Sequence, residues 1–113
     1  MHEYSMAQEI VQVALAHCQE KKIRAIYLRI GALSGIAWES LQLYLNLILE
    51  EKNLDFVQVF ETEIPPSFQC QCGQSYISSW TEGCPYCGSF QRTIQEGLDC
   101  QIESIEIEET SSS

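Results

Sequence analysis

Basic residues are scarce in this chain: six lysines and arginines stand against sixteen aspartates and glutamates, a formal charge of −10 over 113 residues. Such a balance repels phosphate backbones and leaves no basic stripe for nucleic acid. Long apolar runs are lacking as well. None reaches the roughly 18 residues that suggest a membrane span. The opening stretch, with Glu3 and Glu9, has no basic segment leading into an apolar one, so no secretory signal is expected. The chain reads as soluble and cytoplasmic, without nucleic-acid or membrane partners. Its length suits one ordinary domain, or one small core with a metal-held appendage.

Against these absences stand six cysteines. In a reducing cytoplasm, clustered thiols bind metal more often than they form disulfides. Four of the six fall into two close pairs, Cys70 with Cys72 and Cys84 with Cys87, separated by eleven residues. Thiolates at such spacing favour tetrahedral zinc(II) in a structural four-cysteine site. The second pair lies in Gly83-Cys84-Pro85-Tyr86-Cys87-Gly88, a metal-knuckle pattern in which the turn aims backbone N–H groups at sulfur. The first pair is Cys-x-Cys, one residue shorter than the usual clip, which alters the turn and removes one sulfur-directed N–H. Cys100 is a substitute ligand by chemistry, but its spacing places it on a strand. Two further readings fit the same cysteines. One is a zinc-ribbon module that docks another protein. The other is a thiol oxidoreductase using Cys84-Pro85-Tyr86-Cys87, whose position late in the chain is unlike that of glutaredoxin-like folds.

The periodicity predicts an α+β fold: two helices on a small mixed sheet, with an inserted zinc-ribbon-like lobe. Ser5 and Gln8 have the spacing of a capping box, opening a helix from about 5 to 20 whose face carries Val11, Ala14, Leu15 and Cys18. His17 falls on its solvent side. Residues 24 to 30 alternate as a strand with Ile26, Leu28 and Ile30 on one face. A second helix is expected over 37–51, with Trp38, Leu41, Leu45 and Ile48 along one stripe. Leu43, Leu47 and Leu49 widen that stripe, so cover from the sheet, the first helix or a second copy is expected and either a monomer or a homodimer is allowed.

A second strand is expected over 56–63, ended by Pro65-Pro66. Residues 67 to 97 show no sustained pattern and are too few to build a core unaided, the physical reason for a metal. A last strand over 98–108 rejoins the first sheet, and the odd interval from Ile102 to Ile105 suggests a bulge. The expected division is a body of residues 1–65 and 98–109, a zinc-binding lobe of 66–97 and a disordered tail of 110–113.

The chain begins Met1-His2-Glu3. A free amine, deprotonatable amides and an imidazole present nitrogen donors that suit square-planar nickel(II) or copper(II), with the Glu3 carboxylate close by. Together with the helix-strand-helix-strand order, the Cys-Pro-x-Cys-Gly clip and the closing Ile-Glu-Ser-Ile-Glu-Ile-Glu strand, this start resembles the HypA/HybF family of hydrogenase maturation proteins. The resemblance runs from Met1 to about Glu108. It implies a nickel metallochaperone, not an enzyme, that holds Ni(II) through Met1, His2 and Glu3 and structural zinc through Cys70, Cys72, Cys84 and Cys87. It also implies two partners, the GTPase HypB and the large subunit of [NiFe]-hydrogenase, with urease maturation proteins a further possibility.

Overall fold

The computed structural model describes residues 3–79 and 81–108. Eight elements follow in order: α1 (Glu3–Ala16), β1 (Ile23–Gly31), α2 (Trp38–Glu51), β2 (Gln58–Ile64), β3 (Ser67–Cys70), β4 (Ser75–Ile77), β5 (Arg92–Glu96) and β6 (Cys100–Ile107). They build two three-stranded sheets, ordered β2-β1-β6 and β4-β3-β5. The first is mixed, because β1 pairs parallel with β2 and antiparallel with β6. No described helix is long and apolar enough to cross a membrane.

Alternation along β1 sends Ile26, Leu28 and Ile30 to one face, where they are buried against Ala7, Ile10, Val11 and Ala14 of α1 and Leu41, Leu45 and Ile48 of α2. Both helices thus cover one side of the sheet, and Tyr27 and Arg29 lie on the other. Leu41 and Leu45 are fully buried, so truncating either to alanine removes about 2–5 kcal/mol. The interval from Ile102 to Ile105 is indeed bridged by a bulge: Tyr27 pairs with Ser104 but Leu28 with Ile102, leaving Glu103 as the extra residue. A second register shift at Arg24 does the same for Ile23 and Ile26. Each bulge converts a spacing of three into two side chains on the helical face.

Several sequence-based boundaries move. α1 begins at Glu3, so Ser5 lies inside the helix and does not cap it, and Gln8 does not close a capping box. Tyr4 sits edge-on to Tyr44 of α2 at 5.4 Å, an aromatic contact that gives the earlier turn something to bind. The helix stops at Ala16 rather than 20, because Gln19 and Glu20 both have left-handed backbones, φ 54° and 64°. Cys18 is nevertheless buried in the core. Phe56 and Val57 precede β2 in a turn closed by the Val57 N–H on the Leu54 carbonyl. Leu49 is buried, but Leu43 and Leu47 stay exposed on α2, since α1 and the sheet reach only its other side. The tail, 110–113 with Glu109 before it, lies outside the described residues.

Where β2 and β6 leave β1, the chain crosses itself at close range. The Gly31 and Leu33 amides donate to the Asp99 and Gly97 carbonyls at 2.8 and 2.7 Å, and the Ala32 amide donates to Ile64. A Cβ on Gly31 would run into the Gly97 backbone, and one on Gly97, at φ 110°, would meet Pro66 at 2.9 Å. Arg29 of β1 also reaches Glu96 of β5 at 3.1 Å across this junction. Replacing Gly31 by alanine is expected to lower stability by roughly 1–3 kcal/mol in urea denaturation. A change within about 0.5 kcal/mol, as for an ordinary surface substitution, would show that the crossing has slack.

Candidate metal centre

The second sheet has little to hold it together besides its cysteines. Its buried side chains are Phe68, Cys70, Tyr76 and Cys84, with Leu33 and Ile94 packed alongside. Such a core is too small to offset the entropy of ordering some thirty residues, at about 1–2 kcal/mol each. Arg92 adds a second fastening. Its guanidinium lies 4.1 Å above the Phe68 ring and donates to the Tyr76 hydroxyl at 2.9 Å and to the Glu82 carbonyl. Neither Arg92 nor Phe68 stands out in the sequence; alternation of Phe90, Arg92 and Ile94 was the available signal.

Each cysteine pair sits on a turn that ends in a left-handed glycine. In the first, the Gly73 amide donates back to the Cys70 carbonyl at 2.9 Å, and Gly73 has φ 92°. In the second, the Gly88 amide donates to the Cys84 carbonyl at 2.8 Å, and Gly88 has φ 78°. The missing residue of Cys-x-Cys therefore shortens the closing turn by one, and glycine supplies the same conformation after both clips. In the second clip the Tyr86 amide donates to the Cys84 sulfur at 3.3 Å.

All four sulfurs lie within 4.8 Å of one another. Cys70 and Cys87 are 3.4 Å apart, Cys72 and Cys84 3.8 Å, and none is in a disulfide. Tetrahedral zinc with sulfur ligands at ~2.3 Å requires an edge of about 3.8 Å. The donor set and its separations are compatible with a zinc site. One sulfur of each pair is buried and the other exposed. Desolvation works against the Cys84 thiolate, but the Tyr86 and Cys87 amides, with the Cys70 and Cys87 thiols, outweigh it and bring the group down to about 7. At Cys70 the Cys72 amide and thiol favour the thiolate, yet desolvation and the Cys87 and Cys84 thiols outweigh them and raise the group above the ordinary value.

The other chemistry-bearing residues lie apart from this cluster. Cys100 opens β6 beside Ile30 and packs against the helical core, where burial raises its thiol. His17 is exposed, its Nδ1 2.9 Å from the Val13 carbonyl. Glu3 is half-buried at the first turn of α1, where a carboxylate meets the positive end of the helix dipole. Met1 and His2 lie outside the described residues.

Comparisons with known proteins agree with one another. The family model described as hydrogenase/urease nickel incorporation, metallochaperone, HypA matches residues 1–107. A hydrogenase maturation factor HypA from Synechococcus sp. is 30% identical over 111 residues, spanning 95% of this chain and 99% of its own. Another, from Caldanaerobacter subterraneus subsp. tengcongensis, is 31% identical over 114 residues, spanning 96% and 100%. The solution structure of the Ni metallochaperone HypA from Helicobacter pylori shares the fold with a TM-score of 0.70 at 19% identity, over 95% of this chain and 97% of that one. The chain belongs to the HypA family of hydrogenase and urease nickel-incorporation metallochaperones.

Replacing Cys84 by serine is expected to weaken metal retention by roughly 100-fold or more and to abolish amide-exchange protection over 67–96, while β1, α1 and α2 stay protected. Retained protection over 67–96 in metal-free protein would show that Arg92 and Phe68 suffice.

Proposed function

We propose that this chain carries Ni(II) on Met1, His2 and Glu3 and hands it to the large subunit of [NiFe]-hydrogenase, working with the GTPase HypB. The zinc site is Cys70, Cys72, Cys84 and Cys87, in a lobe of residues 66–97 attached to a nickel-binding body of 1–65 and 98–109. The observation that carries the reading is the family match beginning at residue 1, on a chain whose described part opens with α1 at Glu3. The same family description supports a role with urease. The protein acts in the cytoplasm and is not an enzyme: its metal is cargo on one end and a staple on the other.

The chemistry asked of the first three residues is modest. Amine, amide and imidazole nitrogens supply a tetragonal donor set, and a chain end lets an acceptor replace them one at a time without unfolding the donor. The Tyr4–Tyr44 contact fixes the helix just behind the ligands, so the segment is tethered to the body at a defined place. Thiolates of the cysteine cluster favour zinc by softness and tetrahedral spacing, which keeps the two ions on different ligands. In the alternative thiol-exchange reading, Cys84 would act with Cys87 alone. The convergence of all four sulfurs supports the metal reading instead.

The test is Ni(II) titration of protein with its native amino terminus, beside His2→Ala and a form extended ahead of Met1. Both variants are expected to lose affinity by roughly 100-fold, with zinc content unchanged. Imidazole must be neutral to donate, so wild-type affinity should fall as pH drops through about 6.5. Equal nickel binding by His2→Ala would overturn the assignment.

A further inference from the structure

Among the described residues, the helix-free side and both edges of the first sheet remain without a partner. In the order β2-β1-β6, strands β2 and β6 both have an open edge. The two edges differ. β6 is broken by register shifts opposite β1, whereas β2 keeps an unbroken register over seven pairs, from Ala25–Gln58 to Gly31–Ile64. Among the described residues, none of 58 to 63 makes a backbone hydrogen bond outside its strand pairing. A straight ladder with unpaired amides and carbonyls is the part of a sheet that accepts another strand.

The side chains on that edge specify what would be accepted. On the helical face Glu61 and Glu63 follow Leu28 and Ile30 in register, yet both stay exposed. The ion pair among the described residues is Arg29 with Glu96, so neither carboxylate has a cation. Partial desolvation and the neighbouring Glu63 charge raise the Glu61 carboxyl. On the opposite face Phe60, 43% exposed, stacks on Tyr27 at 5.2 Å. With Phe56 and Gln58 these rings line a groove of about 480 Å³ that also carries Lys22, Arg24, Glu106 and Glu108, so the cations of an occupant belong on the opposite, Glu61 and Glu63 side.

We propose that the outer edge of β2 docks an extended segment of a partner protein whose cationic side chains alternate with apolar ones, added as a fourth strand to the β2-β1-β6 sheet. Alternation places the cations beside Glu61 and Glu63 and the apolar side chains over Phe60. A second copy of this chain is a poor occupant, because pairing β2 with β2 would set Glu61 and Glu63 against the same carboxylates in a molecule already at −10. Pro65 and Pro66 end the ladder and so fix how far the added strand extends. The docking edge includes neither the amino-terminal residues nor the cysteine cluster, and the proposal stands independently of the nickel reading.

The experiment uses the full zinc-loaded chain, isotope-labelled, with a synthetic peptide of the length of β2 that alternates lysine with valine and phenylalanine. The expected result is slowed amide exchange within 58–63 and saturable binding. The Glu61→Lys, Glu63→Lys double variant should weaken that binding by roughly tenfold, with Glu61→Gln, Glu63→Gln giving a smaller loss if the reversed form folds poorly. A backbone N-methylated copy of the peptide keeps the charges but cannot complete the ladder, and it should not bind. Equal binding of the methylated peptide, protection on β6 instead of β2, concentration-dependent protection without peptide, or absence of saturable binding would each overturn the proposal.

Discussion

β1 is hydrogen-bonded on both sides, parallel to β2 and antiparallel to β6, and the remainder of the architecture depends on that constraint. Because its neighbours run in opposite directions, the end of β2 and the start of β6 emerge together beside Gly31. Everything between them, including both cysteine clips, must leave from and return to one point. The backbone of Gly31 against Gly97, and of Gly97 against Pro66, is the physical form of that requirement. Side chains have been removed where the two connections touch, and the resulting amide-to-carbonyl bonds hold the second sheet to the first.

The two halves of the molecule are stabilised by different means. The helical face of the first sheet buries a conventional apolar cluster, in which Ile26, Leu28, Leu41 and Leu45 are shielded from water. The second sheet has one fully buried aromatic, Phe68, roofed by the Arg92 guanidinium. Without thiolate–metal bonds such a sheet is below the size at which burial alone offsets chain entropy. The donors are prepared for that role: the turn closed by Gly88 places the Tyr86 amide against the Cys84 sulfur, and the amides there help favour the charged thiolate.

Much of this was legible in the sequence because it rested on period and spacing. The 3.6-residue recurrence of Leu41, Leu45 and Ile48, the alternation of Ile26, Leu28 and Ile30, and the broken step from Ile102 to Ile105 each correspond to an element or a bulge. The cysteine pairs were legible for the same reason. What could not be read depends on contacts distant in sequence. Tyr4 extends α1 toward the chain start because Tyr44 receives it, and no local rule contains that pair. The left-handed residues ending α1 are glutamine and glutamate, types that ordinarily continue a helix. Strands β3 to β5 are short, and their pairing is imposed by the cluster they surround, so alternation had too few residues to register.

With both of its connections leaving beside Gly31, the segment from Pro66 to Gly97 is, for the topology of the chain, one long loop with a narrow neck. Loop-closure entropy grows slowly, and doubling such a segment costs only about 0.6 kcal/mol. Insertions toward the tip of the lobe therefore leave the body almost unaffected. At the neck there is no comparable latitude, since even a single methyl group on Gly31 meets the returning strand of the loop.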